Sequence, residues 1–206
     1  MIIVDHVEQG TDEWHEMRRG VITASRFKDV ISKGRGNAPS KTRQSYMLEL
    51  AAESLTGQVE HFEPNKYMKW GTEKEPEAKS MYELITDNEV AEVAFIKHDT
   101  LNCGVSPDGL IDTDGGLEIK CPKTTTQIET FLSGNMPSQH KAQVQGCLWV
   151  TEREWWDFVS FDPRIVGESS LFTVRVERDE DYIASMAEQI SLFDSELQSL
   201  INKLKG

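Results

Sequence analysis

The sequence predicts an α/β (α+β) fold, a central mixed sheet flanked by helices, and three observations carry that expectation. Apolar residues up to about position 86 recur at spacings of three and four between recognisable helix caps. From about Glu89 the period changes to two, and the C-terminal segment returns to helical spacing. Helices, then strands, then covering helices make a layered sandwich. A single domain over residues 1–206 is expected, since no Pro/Gly/Ser-rich linker, repeat or low-complexity tract divides the chain.

Taken in order, Thr11 caps a short helix with Asp12 and Glu13 in its first turn and Gly20 at its end. A second helix is expected over 25–33, stopped by Gly34, and Ser40 caps a longer one through TRQSYMLELAAESLTG to Gly57. Another begins near Gly71 in WGTEKEPEAKSMYELI, which puts Pro76 in its early turns. VAEVAFIKH, CGVSPDGLID and GGLEIKCP read as three strands, with Asp114-Gly115-Gly116 as the turn before the third. Helices follow over 125–133 and 138–151, then strands WWDFVSF and SLFTVRVE. Ile183, Met186, Ile190, Phe193, Leu197, Leu200 and Leu204 make an amphipathic helix that covers the sheet.

The bulk numbers exclude several classes. No run approaches the ~18 apolar residues a membrane span needs, and MIIVDHVEQG lacks a basic region leading into an apolar run, so the cytoplasm is the expected location. Cys103, Cys121 and Cys147 fit neither a disulfide framework nor an iron–sulfur cluster and are expected to be reduced. The five histidines have no ligand spacing, and no phosphate-cradling Gly-x-x-x-x-Gly-Lys-Ser/Thr loop occurs. The net charge of −13 hides an asymmetry, for residues 18–43 carry a local +7. That stretch is either a solvated helix face or a surface for a phosphate backbone.

The stretch SPDGLIDTDGGLEIKCPK concentrates chemistry. Residues two apart on a strand share a face, so Glu118 and Lys120 point together while Leu117, Ile119 and Cys121 face away. A turn pairing the two strands sets Asp108 across from Glu118. Two carboxylates that close repel, and a divalent cation with oxygen ligands resolves the conflict. Magnesium suits a few carboxylates plus waters and phosphate oxygens, which points to metal-dependent phosphodiester hydrolysis with Lys120 orienting water or stabilising charge. Manganese fits the same ligands. The alternative is a structural ion pair of Lys120 with Asp108 or Glu118, and Glu77-Ala78-Lys79 shows that a bare Glu-x-Lys is weak.

SPDGL...GLEIKCP, followed by AQVQGCLWVT and preceded by VEQGTDEWHEMRRGVITAS and WGTEKE, resembles the phage lambda exonuclease and YqaJ-type alkaline exonuclease family of the PD-(D/E)xK superfamily. The resemblance implies a restriction-endonuclease-like core and a magnesium-dependent exonuclease. Such an enzyme digests one strand of double-stranded DNA 5′ to 3′ as a homotrimer ring and leaves 3′ single strands for a phage single-strand annealing protein. It implies Asp108 and Glu118 as metal ligands with the Ile119 carbonyl, Lys120 as the residue that helps activate water, Glu75 at the second metal or its waters, and Gln143 near the lysine. It implies Arg18, Ser25, Arg35 and Ser106 as a 5′-phosphate pocket, with Arg19 an open alternative to Arg18, and Met68 as a duplex-end wedge or else a core side chain. Two other readings use the same residues: a site-specific endonuclease, which would cut closed circles, and a non-catalytic DNA-end-binding module.

Overall fold

The computed structural model describes residues 1–34, 40–59 and 65–206. Among the described residues, nine strands form two mixed sheets flanked by helices. The first sheet has the order β1-β4-β5-β2, from β1 (Ile2–Val4), β4 (Phe95–Lys97), β5 (Cys103–Val105) and β2 (Ile22–Thr23). The second runs β3-β6-β7-β8-β9, from β3 (Val90–Ala91), β6 (Gly109–Ile111), β7 (Gly115–Lys120), β8 (Trp155–Phe161) and β9 (Leu171–Glu177). Strand β7 lies in the middle, antiparallel to β6 and parallel to β8.

Two strands expected to be continuous are each divided between the sheets. VAEVAFIKH becomes β3 and β4, and CGVSPDGLID becomes β5 and β6, broken at Ser106-Pro107-Asp108. Pro107 has no N–H to offer a ladder. Gln9 bridges both breaks, donating from Nε2 to the carbonyls of Val93 and Pro107 at 2.9 Å each. Trp14 Nε1 donates to the neighbouring Ala94 carbonyl at 3.0 Å. The parting of the sheets therefore leaves a polar opening whose rim is fixed by the N-terminal segment.

The helices follow their caps. Thr11 accepts from the Trp14 N–H to start α1 (Asp12–Arg18), and Ser40 accepts from the Arg43 N–H to start α3 (Lys41–Thr56), which ends on left-handed Gly57. The helix expected over 25–33 is instead a 3₁₀ turn, Ala24–Arg26, and one α turn, α2 (Phe27–Val30). Ser32 Oγ donates to the Asp29 carbonyl at 2.7 Å, closing the chain locally where a longer helix would continue. Helix α4 (Lys66–Thr86) begins well before Gly71, because Asn65 Oδ1 accepts from both the Tyr67 and Met68 N–H groups. Pro76 thus sits inside the helix, where the i→i−4 bond to Thr72 is lost. Helices α5 (Thr124–Ser133), α6 (Lys141–Thr151) and α7 (Glu180–Lys205) match their expected spans, and α7 buries Ile183, Met186, Ile190, Phe193 and Leu197. All three cysteines are free.

The turn between β6 and β7 is Asp112–Asp114, with positive φ at Asp112 (46°), whereas Gly115 and Gly116 lie within β7. Their reason is packing rather than turn geometry. A Cβ on Gly116 would meet the Trp156 ring at 2.3 Å, and one on Gly115 the Trp155 ring at 2.1 Å. Gly104 in β5 is tighter still in consequence, since its Cβ would meet both the Phe95 ring (2.4 Å) and the backbone oxygen of Ile96 (2.7 Å). Gly104→Ala is expected to cost on the order of 2–3 kcal/mol, because backbone cannot yield as a side chain does. Thermal unfolding should show a midpoint lower by roughly 4–10 °C.

Candidate active site

Strand pairing assembles the acidic pair. Gly109 pairs with Leu117, so the residue before β6, Asp108, falls opposite Glu118. The Asp108 N–H donates to the Leu117 carbonyl at 3.2 Å, and Asp108 Oδ2 accepts from the Ile119 N–H at 2.5 Å. Asp108 therefore closes the end of the ladder with one carboxylate oxygen. Glu118 is fully buried and Lys120 Nζ pairs with its Oε1. Leu117 and Ile119 face the other way, into an apolar layer with Ala78, Tyr82, Val159 and Phe161.

Two helices complete the group. From α6, Gln143 Nε2 donates to Glu118 Oε1 at 2.6 Å. Helix α6 approaches closely because Gly146 lies against Phe27, where a Cβ would be only 2.5 Å from the ring. From α4, Glu75 comes near enough to Asp108 and Lys120 for their charges to act on it. Burial, reinforced by Asp108, pushes the Glu75 carboxyl up to about 7. Burial likewise lifts Glu118 to about 7 against the pull of Lys120, and it raises Asp108. For Lys120 burial acts downward, but Glu118 and Asp108 outweigh it and the ammonium is held above its usual value. Low dielectric disfavours each charge, and a further cation beside the carboxylates would offset that cost.

The donor set fits a hard divalent cation. Glu118 Oε2 is buried and has no hydrogen-bond partner among the described residues, a costly state that a cation would relieve. Among the described residues no group of three or more His, Cys, Asp or Glu side chains gathers as a metal cluster. The set is the two carboxylates Asp108 and Glu118. That sparse provision leaves places for water and phosphate oxygen, as magnesium requires.

Two cavities flank the group. The first, of about 190 Å³, is lined by Gln9, Trp14, Arg18, Ser25, Ser106, Asp108 and Gln143 among others. Here Arg18 Nε and Ser106 Oγ are both buried without hydrogen-bond partners among the described residues. Arg18 packs on the Trp14 ring, 3.9 Å from its centroid, and burial lowers its guanidinium to about 10. Arg19 turns elsewhere, pairing with Glu16 and donating to the Gly57 carbonyl at 3.0 Å. Arg26 and Arg43 are also held in ion pairs, with Glu49 (3.0 Å) and Glu196 (2.7 Å), so much of the basic stretch braces the fold. Arg35 lies outside the described residues.

The second cavity, of about 620 Å³, holds Glu75, Ile119, Lys120, Met68, Tyr67 and His140 among its lining. Met68 is 48% exposed, so it is not a core side chain. His140 packs against Phe158, and burial followed by the nearby Lys120 charge lowers it to about 4, leaving it neutral. Gln9, Trp14, Tyr67 and His140 were not among the residues singled out in the sequence. They reach the cavities through contacts distant in sequence, and only the Gln-Gly-Thr-x-x-Trp run carried a signal.

A family model described as the YqaJ-like viral recombinase domain matches residues 13–154. LHK-Exo, an alkaline exonuclease from Laribacter hongkongensis, is 41% identical with a TM-score of 0.87, over 95% of this chain and 96% of that one. LHK-Exo in complex with dAMP gives a TM-score of 0.88 at the same identity and coverage. A phage related exonuclease from Haemophilus somnus 129PT, 18% identical over 89% of this chain and 96% of that one, shares the fold with a TM-score of 0.68. A protein named ExoD from Escherichia coli (strain K12) is 34% identical over 67 residues, 32% of this chain and 76% of ExoD. The span matched by the family model holds Arg18, Glu75, Asp108, Glu118, Lys120 and Gln143 together, and the chain belongs to the YqaJ-like viral recombinase domain family.

Proposed function

We propose that this nuclease of the lambda exonuclease type digests one strand of linear double-stranded DNA in the 5′ to 3′ direction from a 5′-phosphorylated end. The observation that carries the reading is that Asp108 belongs at once to the acidic pair and to the cavity where, among the described residues, Arg18 Nε and Ser106 Oγ lack partners. An anion seated on those donors lies one short step of chain from the carboxylates. An endonuclease has no need of such an end pocket, and a binding module has no need of the lysine.

Asp108, Glu118 and the Ile119 carbonyl would hold magnesium, with Glu75 serving a second ion or its waters; manganese suits the same oxygens. When bound, the metal polarises the scissile phosphate and lowers the pKa of a water. Lys120, fixed by Glu118, orients the attacking water and stabilises charge as it develops. Gln143 holds Glu118 in place with its amide. Arg18, Ser25 and Ser106 grip the terminal phosphate, and Arg35 belongs to the same expected set. Met68, exposed at the second cavity, wedges the duplex end.

The product is a 3′ single strand for a phage annealing protein, and dAMP bound to LHK-Exo is consistent with mononucleotide release. Exposed apolar side chains on α4 (Met81, Leu84, Ile85) and α5 (Ile128, Phe131, Leu132) support assembly of copies into a homotrimer ring. No helix of the described residues is long and apolar enough to cross a membrane. The expected site of action is the host cytoplasm.

The direct test offers linear duplex with and without 5′-phosphate, in magnesium and in EDTA, beside a closed circle. Much faster loss of the phosphorylated than of the unphosphorylated linear substrate, and only with metal, is expected; degradation in EDTA or cutting of the circle would overturn the reading. Proton competition supplies a second check. Because burial sets Glu118 and Glu75 to about 7, metal binding must displace protons at pH 6 and fewer at pH 8. The rise in unfolding midpoint on adding magnesium is therefore expected to grow from pH 6 to pH 8.

A further inference from the structure

We infer that Tyr67 is a stacking platform for the nucleobase on the 3′ side of the scissile phosphate, an inference that rests on the function proposed above. Tyr67 stands in the first turn of α4, which Asn65 anchors by accepting from the Tyr67 N–H at 2.9 Å. The residue is 48% exposed and lines the same cavity as Lys120 and Glu75. Two exposed lysines attend it. Lys123 Nζ lies 4.2 Å from the ring centroid and Lys66 Nζ 5.0 Å, so an exposed aromatic residue is set among ammonium groups that a base can displace. Aromatic faces interleaved with cations are what single-stranded nucleic acid requires: the ring takes the base and the ammoniums take the backbone.

Trp70, one turn further along α4, makes the contrast. Arg164 covers its ring at 4.4 Å, and Arg164 is itself tied to buried Asp162 at 2.7 Å. Trp70 is thus occupied, while among the described residues Tyr67 is covered by the two flexible lysine side chains.

The two cavities decide which nucleotide arrives there. Glu118 is bonded to Gln143, which lines the first, and to Lys120, which lines the second. A strand with its 5′-phosphate on Arg18 and its first internucleotide phosphate at the carboxylates continues into the second cavity. The next base meets Tyr67 as that strand leaves the duplex past Met68.

The test uses a 5′-phosphorylated duplex carrying 2-aminopurine as the second nucleotide of that strand, with calcium in place of magnesium to withhold cleavage. Saturating full-length protein should quench the fluorophore; Tyr67→Phe should retain the quench and Tyr67→Ala should lose it. In magnesium, Tyr67→Ala should raise KM on the order of ten-fold while the preference for 5′-phosphate persists. An unchanged quench in Tyr67→Ala, or quenching only when the probe sits in the complementary strand, would overturn the inference and leave the nuclease reading intact. Absence of both end binding and hydrolysis by the unaltered protein would overturn both.

Discussion

Asp108→Ala is expected to lower the turnover of linear duplex by about a thousand-fold or more while leaving affinity for DNA ends within a few-fold. The carboxylate has two tasks that the geometry separates. Oδ2 accepts from the Ile119 N–H and so finishes the ladder, whereas the group as a whole supplies negative charge beside Glu118. Asp108→Asn keeps an acceptor for the Ile119 N–H and removes the charge. It should therefore unfold near the native temperature yet be as inactive as the alanine variant. Lys120→Ala should be equally inactive for a different reason. A buried Glu118 left charged without its partner would cost about 3–5 kcal/mol, and the side chain escapes by keeping a proton, which disables it as a ligand. Single-turnover hydrolysis beside end-binding anisotropy checks these statements. An Asp108→Ala protein cleaving at the unaltered rate would remove the metal site from the mechanism.

That constellation was legible because period-two apolar residues around Glu118 and Lys120 declare a strand, and a turn before it sets Asp108 across from Glu118. What lay beyond reading has physical causes. Strands of two or three residues, such as β3 and β4, carry too few positions to reveal a period, so their division between two sheets was invisible. Gly115 and Gly116 look like turn residues, yet they exist for Trp155 and Trp156, which follow much later in the chain. The start of α4 was concealed by Gly71 and Pro76, two residues that weaken a helix locally and are carried here by an Asn cap and tertiary packing. The partners of the first cavity are joined by contacts that no local pattern announces, as with Gln9 spanning the two sheet breaks. Adjacent arginines cannot be ranked by periodicity either; it is the Glu16 carboxylate and the Gly57 carbonyl that claim Arg19.

That division of labour sets the second large effect. Arg18→Ala is expected to slow digestion of 5′-phosphorylated ends by roughly a hundred-fold, the scale of a desolvated charge pair worth about 3 kcal/mol. Ends bearing a 5′-hydroxyl should be digested at nearly the unaltered rate, so the ratio between the two substrates falls toward one. Arg19→Ala should keep the ratio, because its side chain is directed to Glu16 and Gly57. Arg18→Lys should recover little, since an ammonium cannot reproduce the planar fork that grips two phosphate oxygens. Stability moves the opposite way. Arg18 is desolvated, its Nε lacks a partner among the described residues, and burial has lowered its pKa to about 10, so the folded protein bears a cost that a bound phosphate would remove. Without DNA, Arg18→Met should unfold at the native temperature or above it, a pattern in which a function-bearing charge is held at the expense of stability. A phosphate preference that survives in Arg18→Ala would move the end pocket away from this cavity.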